Sequence, residues 1–321
     1  MRWRIPLVVV LALFVAVSCD QQPPTALTDD AAVLAAPVEA SLASQRFSGW
    51  STPENLGSTV NSSAIDFTPE TSRDGLSLYF ASTRSGGFGA TDLWVSQRTS
   101  LDEPWGTPVN LGPTINSPGP DAAPYLSRDG HRLFFASGRP GGFGSNDNWV
   151  SWRSDTHDDF AWQAPENLGS QVNGPGFDAG ATVRNPELYF ASDRASPIGN
   201  LDIYLSLVGP GRTYGPAALV TELSSPGNDL RPSLRFDARE IFLSSNRAGT
   251  LGADDIWVST RRGKSEAWPA PVNVGPPINT PAMERMPALS KDGTTLYFAS
   301  TRPGGSGSFD LWVARRTLAG Q

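Results

Sequence analysis

The sequence predicts an all-β fold: a single five-bladed β-propeller of four-stranded antiparallel blades, closed by an N-terminal strand that completes the last blade. Three observations predict it. One block recurs five times between Trp50 and Arg315, its sharpest part reading YFASTR, FFASGR, YFASDR, FLSSNR and YFASTR. Its arginines, Arg84, Arg139, Arg194, Arg247 and Arg302, lie 55, 55, 53 and 55 residues apart. Each block holds four short runs with strand alternation, and no helical periodicity appears anywhere. The repeat is also out of phase with the ends of the chain, which is what ring closure requires.

The second repeat shows the elements in order. A short strand at Val109 to Leu111 is followed by a Gly-Pro turn and the loop Ile115 to Asp121. Pro124 to Leu126 is the next strand. Asp129-Gly130 is a hairpin turn, because glycine takes positive φ without a Cβ clash. Arg132 to Ser137 alternates and carries large aromatics, as a packed strand does. After the glycine-rich loop Arg139 to Gly144 comes the strand Asn148 to Ser151.

The chain enters the repeat at Trp50 to Gly57, a segment that elsewhere precedes each inner strand, and leaves it after Asp310-Leu311-Trp312-Val313. The first unit lacks its beginning and the last lacks its outer strand. Pairing Pro53 to Leu56 with Asp310 to Ala314 leaves no open edge between the ends. Alternation assigns the core. Leu78 and Phe80, with their equivalents Leu133 and Phe135, Leu188 and Phe190, Ile241 and Leu243, and Leu296 and Phe298, point into one inter-blade layer. Tyr79, Phe134, Tyr189, Phe242 and Tyr297 point into the next. Trp94, Trp149, Tyr204, Trp257 and Trp312 are wedges between blades. The loop tryptophans Trp50, Trp105, Trp162 and Trp268 recur at fixed phase, which packing explains better than sugar stacking.

Residues 1–18 read as an export signal: Arg2 and Arg4, an apolar run from Ile5 to Val17, then a small residue. Cys19 is the only cysteine. Ala16-Val17-Ser18-Cys19 resembles the lipobox of bacterial lipoproteins, which implies that Cys19 is acylated and anchors the chain to a membrane. Residues 19–46, rich in Ala, Pro, Asp and Ser, form a tether, residues 47–316 the propeller, and 317–321 a short tail. Removing Arg2 and Arg4 leaves 23 basic against 32 acidic residues, a net charge of −9. Such a surface repels nucleic acid and anionic lipid. One cysteine allows no internal disulfide.

The motifs Leu126-Ser127-Arg128-Asp129-Gly130, Leu133 to Gly144 and Asp310-Leu311-Trp312-Val313 resemble the TolB-like, WD40-like (PD40) repeat family. They look closest to the propeller domains associated with OmpA-like modules in bacterial envelope lipoproteins. The resemblance implies a binding platform, exported and lipid-anchored, facing the periplasm or the cell exterior. Its implied partner is an envelope protein or glycan, not nucleic acid, and the chain is expected to be monomeric. Blade three departs from the pattern with Arg184-Asn185-Pro186-Glu187, and Ala218-Leu219-Val220 lacks the usual asparagine. No OmpA-like module follows, so that module's peptidoglycan binding is not implied.

Three rings of charge recur. Asp66, Asp121, Asp178, Asp229 and Glu284 stand three residues before the inner strands, at a loop that the family topology places at a channel mouth. The five repeat arginines offer bidentate partners for acids of their own or a neighbouring blade. Asp92, Asp147, Asp202, Asp255 and Asp310 form a structural acid ring. Unpaired, the mouth acids would repel one another. Salt bridges to the arginines are the expected remedy, and Ca²⁺ held by oxygen ligands is the functional alternative; no other cofactor is implied. No catalytic residue is assigned. A glycoside hydrolase needs two carboxylates that break the internal symmetry, whereas these acids obey it. His131 and His157 have no second histidine nearby, which disfavours zinc. The irregular loop Trp152 to Trp162 breaks the repeat, so it is either a binding surface or a solvated outer turn. The readings carried forward are a non-catalytic tethered platform, a carbohydrate-active enzyme, and a purely structural envelope component.

Overall fold

Twenty strands alternate with tight turns in the computed structural model, which describes residues 47–194 and 198–318. The export leader, Cys19 and the tether lie outside the described residues. Blade one is β2 (Asp66–Thr71), β3 (Ser77–Ser82), β4 (Asp92–Gln97) and β5 (Val109–Asn110). Blade two is β6 (Asp121–Leu126), β7 (Arg132–Ser137), β8 (Asp147–Trp152) and β9 (Glu166–Asn167). Blade three is β10 (Asp178–Arg184), β11 (Glu187–Ser192), β12 (Asp202–Leu207) and β13 (Ala218–Leu219). Blade four is β14 (Asp229–Leu234), β15 (Glu240–Ser245), β16 (Asp255–Thr260) and β17 (Val272–Asn273). Blade five is β18 (Glu284–Leu289), β19 (Thr295–Ser300) and β20 (Asp310–Arg315), completed by β1 (Glu54–Asn55).

Ring closure is antiparallel. Glu54 pairs with Val313 and Asn55 with Trp312. The zipper extends beyond the strands: Leu56 N–H donates to Leu311 O at 3.0 Å, and Ser51 N–H to Arg315 O at 2.7 Å. β20 therefore has a partner on both sides, which covers the edge that would otherwise invite intermolecular pairing.

The hairpin after each inner strand follows local chemistry. Gly75, Gly130 and Gly293 turn at φ of 73°, 75° and 80°, conformations that side chains resist. Each inner strand is longer than its motif suggested. It starts at the acid itself, three residues before Pro124 in blade two, because Asp121 already pairs with Ser137. A bulge follows at the same place in all five inner strands. Thr68, Ala123, Gly180, Arg231 and Met286 occupy it, all at positive φ. The bulge admits an extra residue and turns these side chains toward the axis.

Five apolar layers fill the spaces between blades. Leu78, Phe80 and Trp94 of blade one meet Tyr297 and Val313 of blade five. Tyr79 lies on the opposite face, against Leu133 and Phe135 of blade two. The other three layers repeat this arrangement. Phe80, Phe135, Phe190 and Phe298 are fully buried. Truncating any of them to alanine costs about 3–5 kcal/mol.

Candidate functional site

The repeat arginines and the first acids form one latch per blade. Arg84 donates from Nη2 to Asp66 Oδ1 at 2.6 Å and to Val60 O at 2.7 Å, and from Nε to Ser82 Oγ at 2.9 Å. Its guanidinium packs over Phe80 and Trp94. Arg139–Asp121, Arg194–Asp178, Arg247–Asp229 and Arg302–Glu284 repeat the pair at 2.8, 2.7, 2.5 and 3.1 Å. All five acids are completely buried. They are therefore not carboxylates open to a channel mouth, as the sequence reading placed them. Desolvation would strand them there, and each is enclosed with the arginine of its own blade. The remaining oxygen of Asp66 accepts from Ser62 N–H and Oγ at 2.6 and 2.9 Å. Among the described residues, no three His, Cys, Asp or Glu side chains converge as a metal site would need.

Blade-to-blade registry comes from residues that sequence reasoning passed over. Asn116 donates to Leu93 O at 3.0 Å and accepts from Leu93 N–H at 2.8 Å, gripping the third strand of blade one. Asn61 grips Leu311, Asn173 grips Asn148, and Asn279 grips Ile256 in the same way. Ser224 stands in for asparagine at Ile203. The available signal was the asparagine after an aliphatic residue in Val60-Asn61, Ile115-Asn116, Val172-Asn173 and Ile278-Asn279.

The second acid ring holds the glycine-rich loops. Asp92 accepts from Phe88 N–H, from Gly89 N–H at 3.0 Å and from Asn110 Nδ2 at 3.0 Å. A Cβ on Gly87 would lie 1.9 Å from Asp92 Oδ2, so the loop closes only over glycine. Asp147, Asp255 and Asp310 receive Asn167, Asn273 and Asn55 at 2.7, 2.6 and 2.9 Å. In blade three Leu219 takes the asparagine position opposite Tyr204. Burial raises the Asp202 carboxyl above its ordinary value; Gly199 N–H opposes the rise and the charge of Asp229 adds to it.

The outer clefts between blades are closed by a repeated arginine on a tryptophan. Arg98 covers Trp105, Arg153 covers Trp162, Arg261 covers Trp268 and Arg316 covers Trp50, with guanidinium-to-ring distances of 4.2, 4.3, 4.0 and 4.4 Å. Trp162 and Trp268 are buried and Trp50 and Trp105 half-buried, so these rings are packing, not an open platform. Three of these arginines also reach an acid. Arg153 pairs with Asp159 at 2.7 Å, Arg261 with Glu187 at 3.0 Å and Arg316 with Glu240 at 2.5 Å. Asp159 also receives Ser77 Oγ at 2.5 Å, Tyr79 OH at 2.5 Å and Gln97 Nε2 at 2.8 Å, all from blade one. The irregular loop of blade two is thus part solvated turn and part inter-blade bolt. His157 at its tip is exposed beside Asp155.

The cleft between blades two and three lacks this closure. Val208 stands where the arginine would be and Tyr214 where the tryptophan would be, and both pack against the apolar layer between blades two and three. A groove of about 700 Å³ opens there. Trp152, Arg132, Gln163, Glu166, Arg212 and Tyr214 line it. Trp152 is 40% exposed and is backed by the stacked ring of His131. Arg132 Nε is buried without a hydrogen-bond partner. Burial pushes the Tyr214 hydroxyl up, against the opposing charges of Arg132 and Arg212. The wall thus combines an aromatic face, two cations, an anion and an amide, which suits a ligand with both apolar and polar surface.

A second, smaller cavity of about 80 Å³ lies on the axis, lined by the bulge residues. No aspartate or glutamate is among its lining residues.

No family model matches the chain, and no curated protein matches it. Solved structures do. The catalytic domain of a GH62 α-L-arabinofuranosidase from Coprinopsis cinerea superposes with a TM-score of 0.55 at 14% identity, over 86% of this chain and 99% of that one. An α-L-arabinofuranosidase from Lactobacillus brevis gives 0.53 at 15% identity, over 81% and 94%. TolB from Acinetobacter baumannii gives 0.46 at 17% identity, over 80% and 57%. At these identities the likeness is one of fold.

Proposed function

We propose that this chain is a non-catalytic binding platform of the bacterial cell envelope, of the TolB-like repeat family, tethered through lipidated Cys19, and that its partner docks in the groove between blades two and three. One observation carries the proposal. Four inter-blade clefts are sealed by arginine on tryptophan, and the fifth is open and lined by uncommitted polar and aromatic groups. A departure from internal symmetry is where a repeat protein places function rather than packing. The partner is an envelope protein or glycan, and the chain acts as a monomer. The repeat blocks and the cysteine motif support the family and the anchor. The arabinofuranosidase fold lends the hydrolase reading a scaffold, and that reading would need two carboxylates flanking the bond. The axial cavity presents none, and the repeated acids are buried in latches.

The test is site-specific photocrosslinking in intact cells. A photoreactive residue at Gln163 or Gln171, in the groove, is expected to give a discrete adduct, and one at the exposed surface residue Glu103 none. Val208→Arg with Tyr214→Trp, which rebuilds the missing seal, should abolish the adduct. Equal labelling at both places, or persistence in the sealed variant, would point to an inert structural component. Radiolabelled palmitate incorporated by the wild type and not by Cys19→Ala checks the anchor.

A further inference from the structure

The five bulge residues on the axis are not equivalent. Thr68, Ala123 and Gly180 are small, whereas Arg231 reaches across from blade four. Its Nη2 donates to Pro124 O of blade two at 2.6 Å and to Pro69 O of blade one at 3.2 Å. Gly180 packs beside it: a Cβ there would only touch Arg231 Cα, at 3.5 Å, and what calls for glycine is the positive φ of 74°. The side chain is 3% exposed, and Nη1 has no hydrogen-bond partner. The five latch guanidinia are bonded to carboxylates; this one is held only by carbonyls. Glu70 is the acid whose charge reaches it, but Glu70 is already paired with Lys291 Nζ at 2.9 Å. Burial pulls the arginine down to about 10, the behaviour of a cation short of a counter-charge.

A second orphan faces the same cavity. Asn146 lines it, and its Oδ1 is buried with no partner. The remaining wall is mostly apolar, with Phe67, Leu230 and Met286 among its residues. Leaving polar atoms unpaired beside an apolar surface is costly, so two of them at one cavity invite a ligand that satisfies both.

We propose that the axial cavity binds a small carboxylate anion, with Arg231 donating to the carboxylate and Asn146 bonding to a neighbouring hydroxyl. The cavity of about 80 Å³ suits a small anion such as acetate or glycolate. The guanidinium supplies charge and planar donors matched to a carboxylate, and the apolar wall strengthens that attraction. Asn146 distinguishes the two acids, because only glycolate carries the hydroxyl. The site is independent of the groove.

The experiment is calorimetric titration of the purified full-length chain in chloride-free buffer with acetate, glycolate and chloride as probes. One saturable site is expected, with glycolate tighter than acetate and both tighter than chloride. Arg231→Met is expected to weaken both carboxylates at least tenfold. Asn146→Ala should bring glycolate to the level of acetate while leaving acetate unchanged. Circular dichroism checks that each variant is folded. If Arg231→Met does not fold, the wild type and Asn146→Ala decide the matter. Absence of saturable binding in the wild type overturns the proposal, as does chloride binding as tightly as acetate. Equal loss of acetate and glycolate in Asn146→Ala overturns the role given to Asn146.

Discussion

Replacing Asp159 by asparagine tests whether the irregular loop of blade two bolts the ring together. Arg153 is 1% exposed and Asp159 3% exposed, and the carboxylate receives hydrogen bonds from Arg153, Ser77, Tyr79 and Gln97. Asp159→Asn keeps the shape but leaves a buried guanidinium facing a neutral amide. Breaking a buried pair from one side costs about 3–5 kcal/mol. A domain of this size loses about 2–4 °C in Tm per kcal/mol, so the melting point should fall by about 6–20 °C. Arg153→Met with Asp159→Leu, which removes both charges, should recover most of the loss. The pH dependence supplies a second reading. Burial by itself would raise the Asp159 carboxyl, but its hydrogen bonds from Ser77, Tyr79, Arg153 and Gln97 bring it below its ordinary 3.8. The unfolded chain therefore takes up the proton first as pH falls. The stabilisation is complete above 3.8 and is lost as pH drops through the lower folded value. Urea melts at neutral and acidic pH should show that loss in the wild type and not in Asp159→Asn. A penalty below about 1 kcal/mol, the range of an exposed ion pair, would refute the bolt.

Asn116→Ala leaves Leu93 N–H without its partner, while Leu93 O keeps the bond from Leu111 N–H, and should cost about 1–3 kcal/mol, read from urea melts. Leu219→Asn restores to blade three the amide that four other blades supply. It should bring the Asp202 carboxyl down, as followed by carbon NMR. The raised carboxyl favours the fold below its unfolded value, and that contribution fades as pH rises through the folded one. The variant should thus gain stability at neutral pH, by about 0.5–1.5 kcal/mol. Shortening the chain to begin at Gly57 uncovers β20. Light scattering should then show association through the bare strand, and the melting point should fall.

Much of the fold was legible because a propeller repeats its instructions. Alternation in Leu78-Tyr79-Phe80 correctly divided the core into two faces, and the displaced phase of Trp50 and Val313 foretold the closing pair. The groove was not legible. Val208 and Tyr214 look like ordinary substitutions until Arg98, Arg153, Arg261 and Arg316 are seen lying on their tryptophans. The burial of Asp66 and its equivalents was equally hidden, since a recurring acid reads the same whether it faces water or an arginine. Arg231 carried no signal at all, because its place on the axis depends on a bulge.

The sequence alone determined period, strand order, layer assignment and the need for the chain to close on itself. These follow from side-chain alternation and turn chemistry, which act over a few residues and need no knowledge of distant neighbours. Only the tertiary structure decided which charges are neutralised, which cleft stays open and which arginine lies alone on the axis. Those outcomes depend on groups brought together from different blades, and electrostatics and burial are properties of that assembly.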